Sequence, residues 1–261
     1  MEIESIRFGF FIGILFICTV WEIIVPKRSL TQSKWFRWSN NLGLVALNGL
    51  LLKITLPLLA IDVALVTEDQ GFGVFNWLSL PLWLSVPITV FVLDCVIYWQ
   101  HRLFHQVPLL WKLHRMHHSD QDIDVTTGAR FHPIEIVLSM LIKIVAVAII
   151  GAPAIAVLIF EILLNGSAMF NHSNARLSTD LDRLLRTAIV TPDMHRVHHS
   201  TIRKECDSNY GFFLSIWDRC FGSYIDQPQH GHQGMQIGVD RFRARNEQRI
   251  DKMLTQPFRS K

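Results

Sequence analysis

Histidine is the residue type whose placement in this chain could do chemistry. Twelve histidines occur among 261 residues, and eight of them fall in three five-residue windows. The windows read HRLFH, HRMHH and HRVHH, and their histidines are His101, His105, His114, His117, His118, His195, His198 and His199. Side chains three and four residues apart share one face of a helix, so His114 and His117 are expected to face one way with His118 beside them. Eight neutral imidazoles can hold two divalent metal ions and leave positions open for oxygen.

Other kinds of site fit the same residues less well. One HxxxH window alone would be typical of a solvated helix, but two HxxHH windows beside it are not. The HExxH pattern of zinc hydrolases is absent. The four cysteines are scattered without a CxxC pair, which argues against a disulfide framework or a cysteine metal site. A net charge of +3 gives no indication of nucleic-acid binding.

The elements that must position these histidines are strongly apolar. Half of the chain is hydrophobic and 18% is charged, against roughly 25% charged residues in soluble domains. Five apolar runs cover residues 8–25, 42–66, 78–99, 134–150 and 154–170. The basic Pro26-Lys27-Arg28, rather than a small-residue cleavage site, follows the first run, so we interpret that run as a retained span.

These runs predict an all-α integral membrane helical bundle. It has three spans, then a helical hairpin that turns at residues 151–153, and a histidine-rich helical cap on the cytoplasmic side. Both hairpin runs are near the ~20 residues that a span needs, so the hairpin either crosses fully or dips in and returns. The predicted domains are the N-terminal spans at 1–75, a catalytic domain at 76–225 and a polar C-terminal tail at 226–261.

Charges in the short loops predict the orientation. The loop after the first run is basic, with Lys27, Arg28, Lys34 and Arg37, whereas the loop after the second run carries Glu68 and Asp69. Basic loops face the cytoplasm. By parity the N-terminus lies outside, and every histidine window and the C-terminus lie on the cytoplasmic side.

Three charged residues interrupt the apolar runs. Lys53 either extends its side chain to the membrane surface or marks a break in the second span. Lys143 and Glu161 each lie nine residues from Ala152, the middle of the hairpin turn. At about 1.5 Å per residue both sit roughly 13 Å from the turn. We therefore predict a structural ion pair across the hairpin.

The order HxxxH, HxxHH, HxxHH resembles that of the fatty acid hydroxylase and sterol desaturase superfamily. The resemblance extends from about Trp83 to Tyr224. The further matching segments are Asp94-x3-Tyr98-x2-His101, Arg130-Phe-His132-Pro-x-Glu135, Phe170-x-His172-Ser-Asn174, Asp193-x-His195, and Asn209-Tyr-Gly211 leading to Ile216-Trp-Asp218. Soluble di-iron bundles differ, because they use Glu and ExxH.

The resemblance implies a non-haem centre of two iron ions, O₂ as co-substrate and a lipid or similarly apolar substrate. The eight clustered histidines are the implied ligands, and His172 matches an additional one. The preference for iron rests on the family, because zinc or copper could load the same nitrogens. No nucleotide fingerprint or ferredoxin cysteine run is present, so a separate ferredoxin or cytochrome-type electron donor is implied. The basic residues that could dock it are Arg102, Lys112, Arg115, Arg196, Arg203 and Lys204.

The remaining candidates are supporting residues. Carboxylates often accept the second ring N–H of a metal-binding histidine. The candidates for such support are Asp94, Tyr98, Asp120 and Asp193. His132 is a ligand, a substrate contact or a helix-start residue, and His230 and His232 are expected to be solvated.

The sequence thus predicts a membrane enzyme that hydroxylates or desaturates a fatty acyl or sterol-like substrate. A membrane metal-binding or transport protein is the alternative. Transporters place their ligands near bilayer mid-depth on discontinuous helices, whereas these histidines lie at or beyond the membrane edge.

Overall fold

A computed structural model describes residues 2–259, and this part of the chain is helical, with three isolated β-bridges and no strand. The longer helices are α1 Glu2–Ile24, α2 Lys34–Thr55, α3 Ala60–Asp69, α4 Val74–Trp77, α5 Leu82–Gln106, α6 Pro108–His118, α7 Pro133–Ile150, α8 Ala154–His172, α9 Thr179–Leu185 and α10 Pro192–His198. The short ones that follow are α11 Arg203–Cys206, α12 Ile216–Cys220, α13 Gly231–Gly234 and α14 Ile250–Met253. Single 3₁₀ turns cover Thr127–Ala129, Arg245–Gln248 and Gln256–Phe258.

Five helical stretches are long and apolar enough to cross a membrane. They are Ile3–Ile24, Lys34–Trp77, Leu82–Gln106, Pro133–Ile150 and Ala154–His172. Their side chains face outward to an unusual degree, since only 6–44% of the most apolar window of each stretch is buried. This exposure fits helices that turn apolar faces to lipid, and it confirms the predicted membrane bundle.

The second apolar run is broken, as the position of Lys53 suggested. Helix α2 ends at Thr55, and Leu56 is extended, with φ −117° and ψ 118°. Pro57 follows, and the residue before a proline is disfavoured in helical conformation. The chain then resumes as α3, which packs against α7 and α8.

The hairpin of α7 and α8 forms as predicted. Gly151 ends α7 in the left-handed conformation, with φ 65°. The loop before α4 packs on this turn so closely that a Cβ on Gly73 would lie 2.4 Å from the Cα of Gly151. At ~1.5 Å per residue, the two helices are roughly 27–29 Å long, close to the ~30 Å of a bilayer core.

The predicted pair across the hairpin is also present. Lys143 Nζ lies 2.8 Å from Glu161 Oε1. The sequence did not anticipate Arg7, which approaches Glu161 Oε2 at 3.1 Å from α1. These three side chains form the ion triad.

The cap sits at the end of the bundle that is opposite the hairpin turn. Helix α2 begins beside it, where Arg37 is buried and forms ion pairs with Asp120 and Asp124. The segment predicted as a polar tail packs onto the cap, since buried Met253 contacts Met116 and Leu44. Arg115 also donates to the carbonyl oxygen of Gln256 at 2.5 Å.

Candidate metal centre

The histidine windows come from helices that end at one place. His101 and His105 lie in the last turns of α5, on the buried stripe that also carries Asp94 and Tyr98. Helix α6 contributes the second window. Proline at the first helical position suits α6 and α10, because the fixed φ of proline is helical and its missing N–H has no helical partner there.

The third window depends on a capped helix. Thr191 precedes α10, and its side chain accepts from Met194 N at 3.2 Å. His172 arrives from a different direction, as the last residue of α8. Nine histidines therefore converge from α5, α6, α8 and α10, and none of them is more than 3% exposed.

The nine histidines divide into two groups in which the ligand atoms lie within 4.8 Å of one another. The five-histidine group contains His101, His105, His114, His118 and His198. The four-histidine group contains His117, His172, His195 and His199. In both HxxHH windows the first and last histidines join one group and the middle one joins the other. His114 and His117 do lie side by side, with ring centroids 5.2 Å apart, but they belong to different groups.

The Nε2 atoms of the clustered histidines point toward one another, and several have no hydrogen-bond partner in the described part of the protein. In the four-histidine group, Nε2 of His172 lies 3.1–3.2 Å from Nε2 of His117, His195 and His199. In the five-histidine group, Nε2 of His105 and of His198 are buried with no hydrogen-bond partner. Buried nitrogens left unpaired in this way are costly unless an ion binds them. Both groups are thus able to bind metal.

Backbone carbonyls fix the protonation of several outer nitrogens. Nδ1 of His101 donates to the carbonyl oxygen of Tyr210 at 2.7 Å. Nδ1 of His198 does the same to Ser208 at 2.7 Å. A carbonyl oxygen can only accept, so each Nδ1 carries the hydrogen and each Nε2 presents its lone pair inward. His117 and His172 follow the same pattern, with Arg130 O at 3.2 Å and Ala168 O at 2.7 Å.

Two carboxylates that the sequence did not single out bond other ligand candidates. Glu135 Oε1 lies 2.6 Å from Nδ1 of His114, and both side chains are buried. Asp207 Oδ1 lies 3.3 Å from Nδ1 of the His105 ring. Glu135 stands in one of the segments that carry the family resemblance, which was the available signal. Asp207 had no comparable signal, because only folding brings α11 against α5.

The aspartates that were predicted to support histidines bond elsewhere, which corrects that assignment. Asp94 accepts from Trp217 Nε1 at 2.7 Å and from Leu214 N at 3.0 Å. Asp120 pairs with Arg37. Asp193 pairs with Lys27 and with Arg196.

These carboxylates therefore fix segments of the cap rather than ring tautomers. Within residues 2–259, none of the three accepts a hydrogen bond from the nine histidines. Tyr98 also makes no bond to them, since its hydroxyl lies 2.7 Å from Ser223 Oγ.

The other histidines have smaller roles. His132 is a helix-start residue, because its Nδ1 accepts from Ile134 N at 3.2 Å. His230 is exposed, as predicted. The prediction is wrong for His232, whose side chain is 10% exposed and lies 3.8 Å from Asp193.

Burial keeps the cap histidines neutral. It lowers the pKa of His114 from 6.5 to about 3. Burial, followed by the proximity of other imidazoles, also holds the pKa well below 6.5 for His117, His118, His195, His198 and His199. A neutral imidazole is the form that binds a metal.

A cavity of about 640 Å³ adjoins the five-histidine group. His101, His114 and Glu135 line one end of it, and apolar side chains such as Phe104, Phe131 and Phe212 surround them. Helices α1, α2, α5, α7 and α8 all contribute to its walls. A cavity of this size and polarity is typical of a site for a small apolar ligand.

Comparisons with known proteins agree with this geometry. The chain is similar to the ornithine lipid hydroxylase of Rhizobium tropici, 29% identical over 150 residues, which are 57% of this chain and 44% of that protein. It is similar to the alkylglycerol monooxygenase of Homo sapiens, 29% identical over 180 residues, 66% of this chain and 38% of that protein. It is also similar to the lathosterol oxidase of Mus musculus, 27% identical over 157 residues, 60% of this chain and 50% of that protein.

The chain thus spans about half or less of the length of these relatives. No solved structure matches it. The family model described as fatty acid hydroxylase matches residues 86–223, which is more than half of the chain and includes all nine clustered histidines. The chain therefore belongs to the fatty acid hydroxylase family.

Proposed function

We propose that this protein is a membrane-bound non-haem di-iron oxygenase that hydroxylates or desaturates an unactivated C–H bond of a lipid. The observation that carries the proposal is the pair of histidine groups beside an apolar cavity. The three relatives named above are a hydroxylase, a monooxygenase and an oxidase, and their names contain ornithine lipid, alkylglycerol and lathosterol.

The nine histidines would hold one ion in each group. Iron bound there would supply the activation of O₂ and the oxidation of a C–H bond. The chain's own contribution is twofold. Burial holds the imidazoles neutral, and carbonyl or carboxylate partners at Nδ1 direct Nε2 of six of them inward. Burial excludes water from the oxidising site, and the cavity brings an apolar chain against His101 and His114.

Electrons would come from a separate carrier protein at the cap surface. Lys112, Arg203 and Lys204 are exposed there and could contact an acidic donor. Arg196, which the sequence grouped with them, is only 1% exposed and pairs with Asp193. It is therefore excluded from any such surface.

The orientation is part of the proposal. The basic residues of the first loop support a cytoplasmic cap, because basic loops tend to face the cytoplasm. A reporter fused after Tyr224 should read as cytoplasmic, and one fused at the N-terminus as external. An external reading after Tyr224 would contradict the orientation.

Turnover and metal transport can be separated directly. Protein purified without chelating resin is analysed for metal, and expressing cells are analysed by lipidomics. We expect about two iron ions per chain and an oxidised lipid whose formation needs both O₂ and a reductant. Metal flux across proteoliposomes without any oxidised product would instead favour a transport protein.

A further inference from the structure

The cavity has a second polar end, deep in the bundle. Lys143 and Arg7 line it there, together with Asn165. On α7, Lys143 lies eight residues beyond Glu135, which bonds His114 at the other end. At ~1.5 Å per residue the two ends are about 12 Å apart.

The charges at this deep end do not balance. Glu161 is 2% exposed and is shared by two cations, at 2.8 Å from Lys143 and 3.1 Å from Arg7. The triad therefore carries one excess positive charge. Glu4 lies one turn before Arg7 and also lines the cavity, but it is exposed and forms no ion pair in the described part of the chain. An ionisable cluster inside a membrane bundle marks a functional site by default.

The wall between the two ends is mainly apolar. Phe11, Leu52, Met140, Leu164 and Phe212 contribute to it. A ligand that reaches from the ion triad to the histidines is thus an apolar chain with a polar group at one end. An extended chain advances about 1.2 Å per bond, so about 10 bonds connect the two ends.

We propose that Arg7 and Lys143 bind a carboxylate or carbonyl oxygen at one end of the lipid substrate, and that this anchor places the oxidised carbon beside the five-histidine group. The inference rests on the proposed function, because it assigns a substrate class to the same site. It gives the excess cation a role that a purely structural ion pair would not need.

Direct binding of hexadecanoic acid tests the anchor without any turnover. We expect purified metal-loaded protein to bind hexadecanoic acid at least 10-fold more tightly than hexadecane. Methyl hexadecanoate separates the two oxygen sources: affinity close to the acid indicates carbonyl recognition, and affinity close to the alkane indicates carboxylate recognition. Equal affinity for the acid, the ester and the alkane would overturn the anchor.

Two variants remove the excess charge and still leave a neutral ion pair. Lys143→Met leaves Arg7 with Glu161, and Arg7→Gln leaves Lys143 with Glu161. Each should weaken binding of the preferred oxygen-bearing probe at least 10-fold and leave hexadecane binding unchanged, which also reports that the cavity is intact. Lys53→Met is the matched control, because Lys53 lies in an apolar run but does not line the cavity. Equal losses for Lys53→Met and Lys143→Met would contradict the proposal.

Photo-crosslinking tests the direction of the bound chain. Hexadecanoic acid with a diazirine near its carboxyl group should label the protein near Lys143, at Met140 or Leu164. A diazirine about ten carbons farther along should label Phe104 or Phe131, near the histidines. The reversed labelling pattern would overturn the anchor while leaving the oxygenase proposal in place. The expected labelling pattern in a protein that oxidises no lipid would support the anchor and contradict the oxygenase proposal.

Discussion

Two polar clusters lie in the same apolar bundle, and they differ in how their polar atoms are paired. In the ion triad, Glu161 faces two cations of the same chain, so no carboxylate oxygen there lacks a counter-charge. In the histidine centre, the outer nitrogens are mostly bonded, whereas inner nitrogens such as His118 Nε2 and His198 Nε2 are not. The comparison teaches that the triad pairs its charges within the chain, while the centre keeps ring nitrogens available to bind metal.

The largest expected effect is on the histidine centre. His118→Ala or His198→Ala should reduce activity by roughly 10³-fold or more and lower bound metal, because one lost ligand breaks a unit that acts together. The two losses should be non-additive in the double variant. Turnover and metal content are measured on protein whose membrane insertion is unchanged.

Variants of His172 and His230 provide a test case and a control for the ligand variants. His172→Ala should match the ligand variants, since its Nε2 lies 3.1–3.2 Å from three other imidazoles. A loss of only about 10–100-fold would instead give it a supporting role. His230→Ala should be harmless, because the residue is exposed and outside both groups. Substantial turnover by His118→Ala with unchanged metal would show that the centre is elsewhere.

The ion triad should respond according to which charges are left without a partner. Glu161→Ala strands two cations and should cost about 3–5 kcal/mol of unfolding free energy. Lys143→Ala should cost less, because Arg7 still neutralises Glu161. Thermal unfolding in detergent measures the stability of both variants. The double variant, Glu161→Ala with Lys143→Ala, should be more stable than Glu161→Ala alone. Strictly additive losses would mean that the two residues do not interact.

Removing an outer partner of the centre should have an intermediate effect. Glu135→Ala deletes the acceptor at Nδ1 of His114 and should lower metal affinity or activity about 10–100-fold. Glu135→Gln should lose less, since its amide oxygen can still accept that hydrogen. The Asp207→Asn change should be milder still, because Asp207 is 33% exposed and its contact with His105 is 3.3 Å. Equal losses for Glu135→Ala and Asp207→Asn would contradict the prediction that Glu135 supports the centre more strongly than Asp207.

The smallest predicted effect, counted for a single side chain, is a pH dependence of the metal-free protein. Burial holds the pKa of His114 at about 3, against 6.5 for an exposed imidazole. His114 therefore binds a proton near pH 6.5 in the unfolded chain but stays neutral in the folded chain. The free energy of unfolding falls as the pH drops from 6.5 toward 3. One such histidine costs up to about 1.4 kcal/mol per pH unit. Denaturant unfolding near pH 7.5 and pH 5.5 measures it, and equal stability at both values would contradict the shift.

The sequence by itself determined much of this protein. Apolar runs of nearly bilayer length have no stable alternative to helices in lipid, so they predicted the bundle and the hairpin. The equal spacing of Lys143 and Glu161 from the turn predicted their pairing, because depth in a hairpin follows directly from residue count. The i, i+3 and i+4 spacing within the three histidine windows predicted eight of the nine clustered histidines. The family resemblance added His172.

Only the tertiary structure decided how these residues are shared and supported. Spacing fixes the direction of each histidine around its own helix, but not which neighbouring helix lies there. The crossing of α6, α8 and α10 therefore assigned His117 to the four-histidine group and His198 to the five-histidine group. Likewise, Glu135, Asp207 and Arg7 contact their partners from elements distant in sequence, and no local pattern records such contacts.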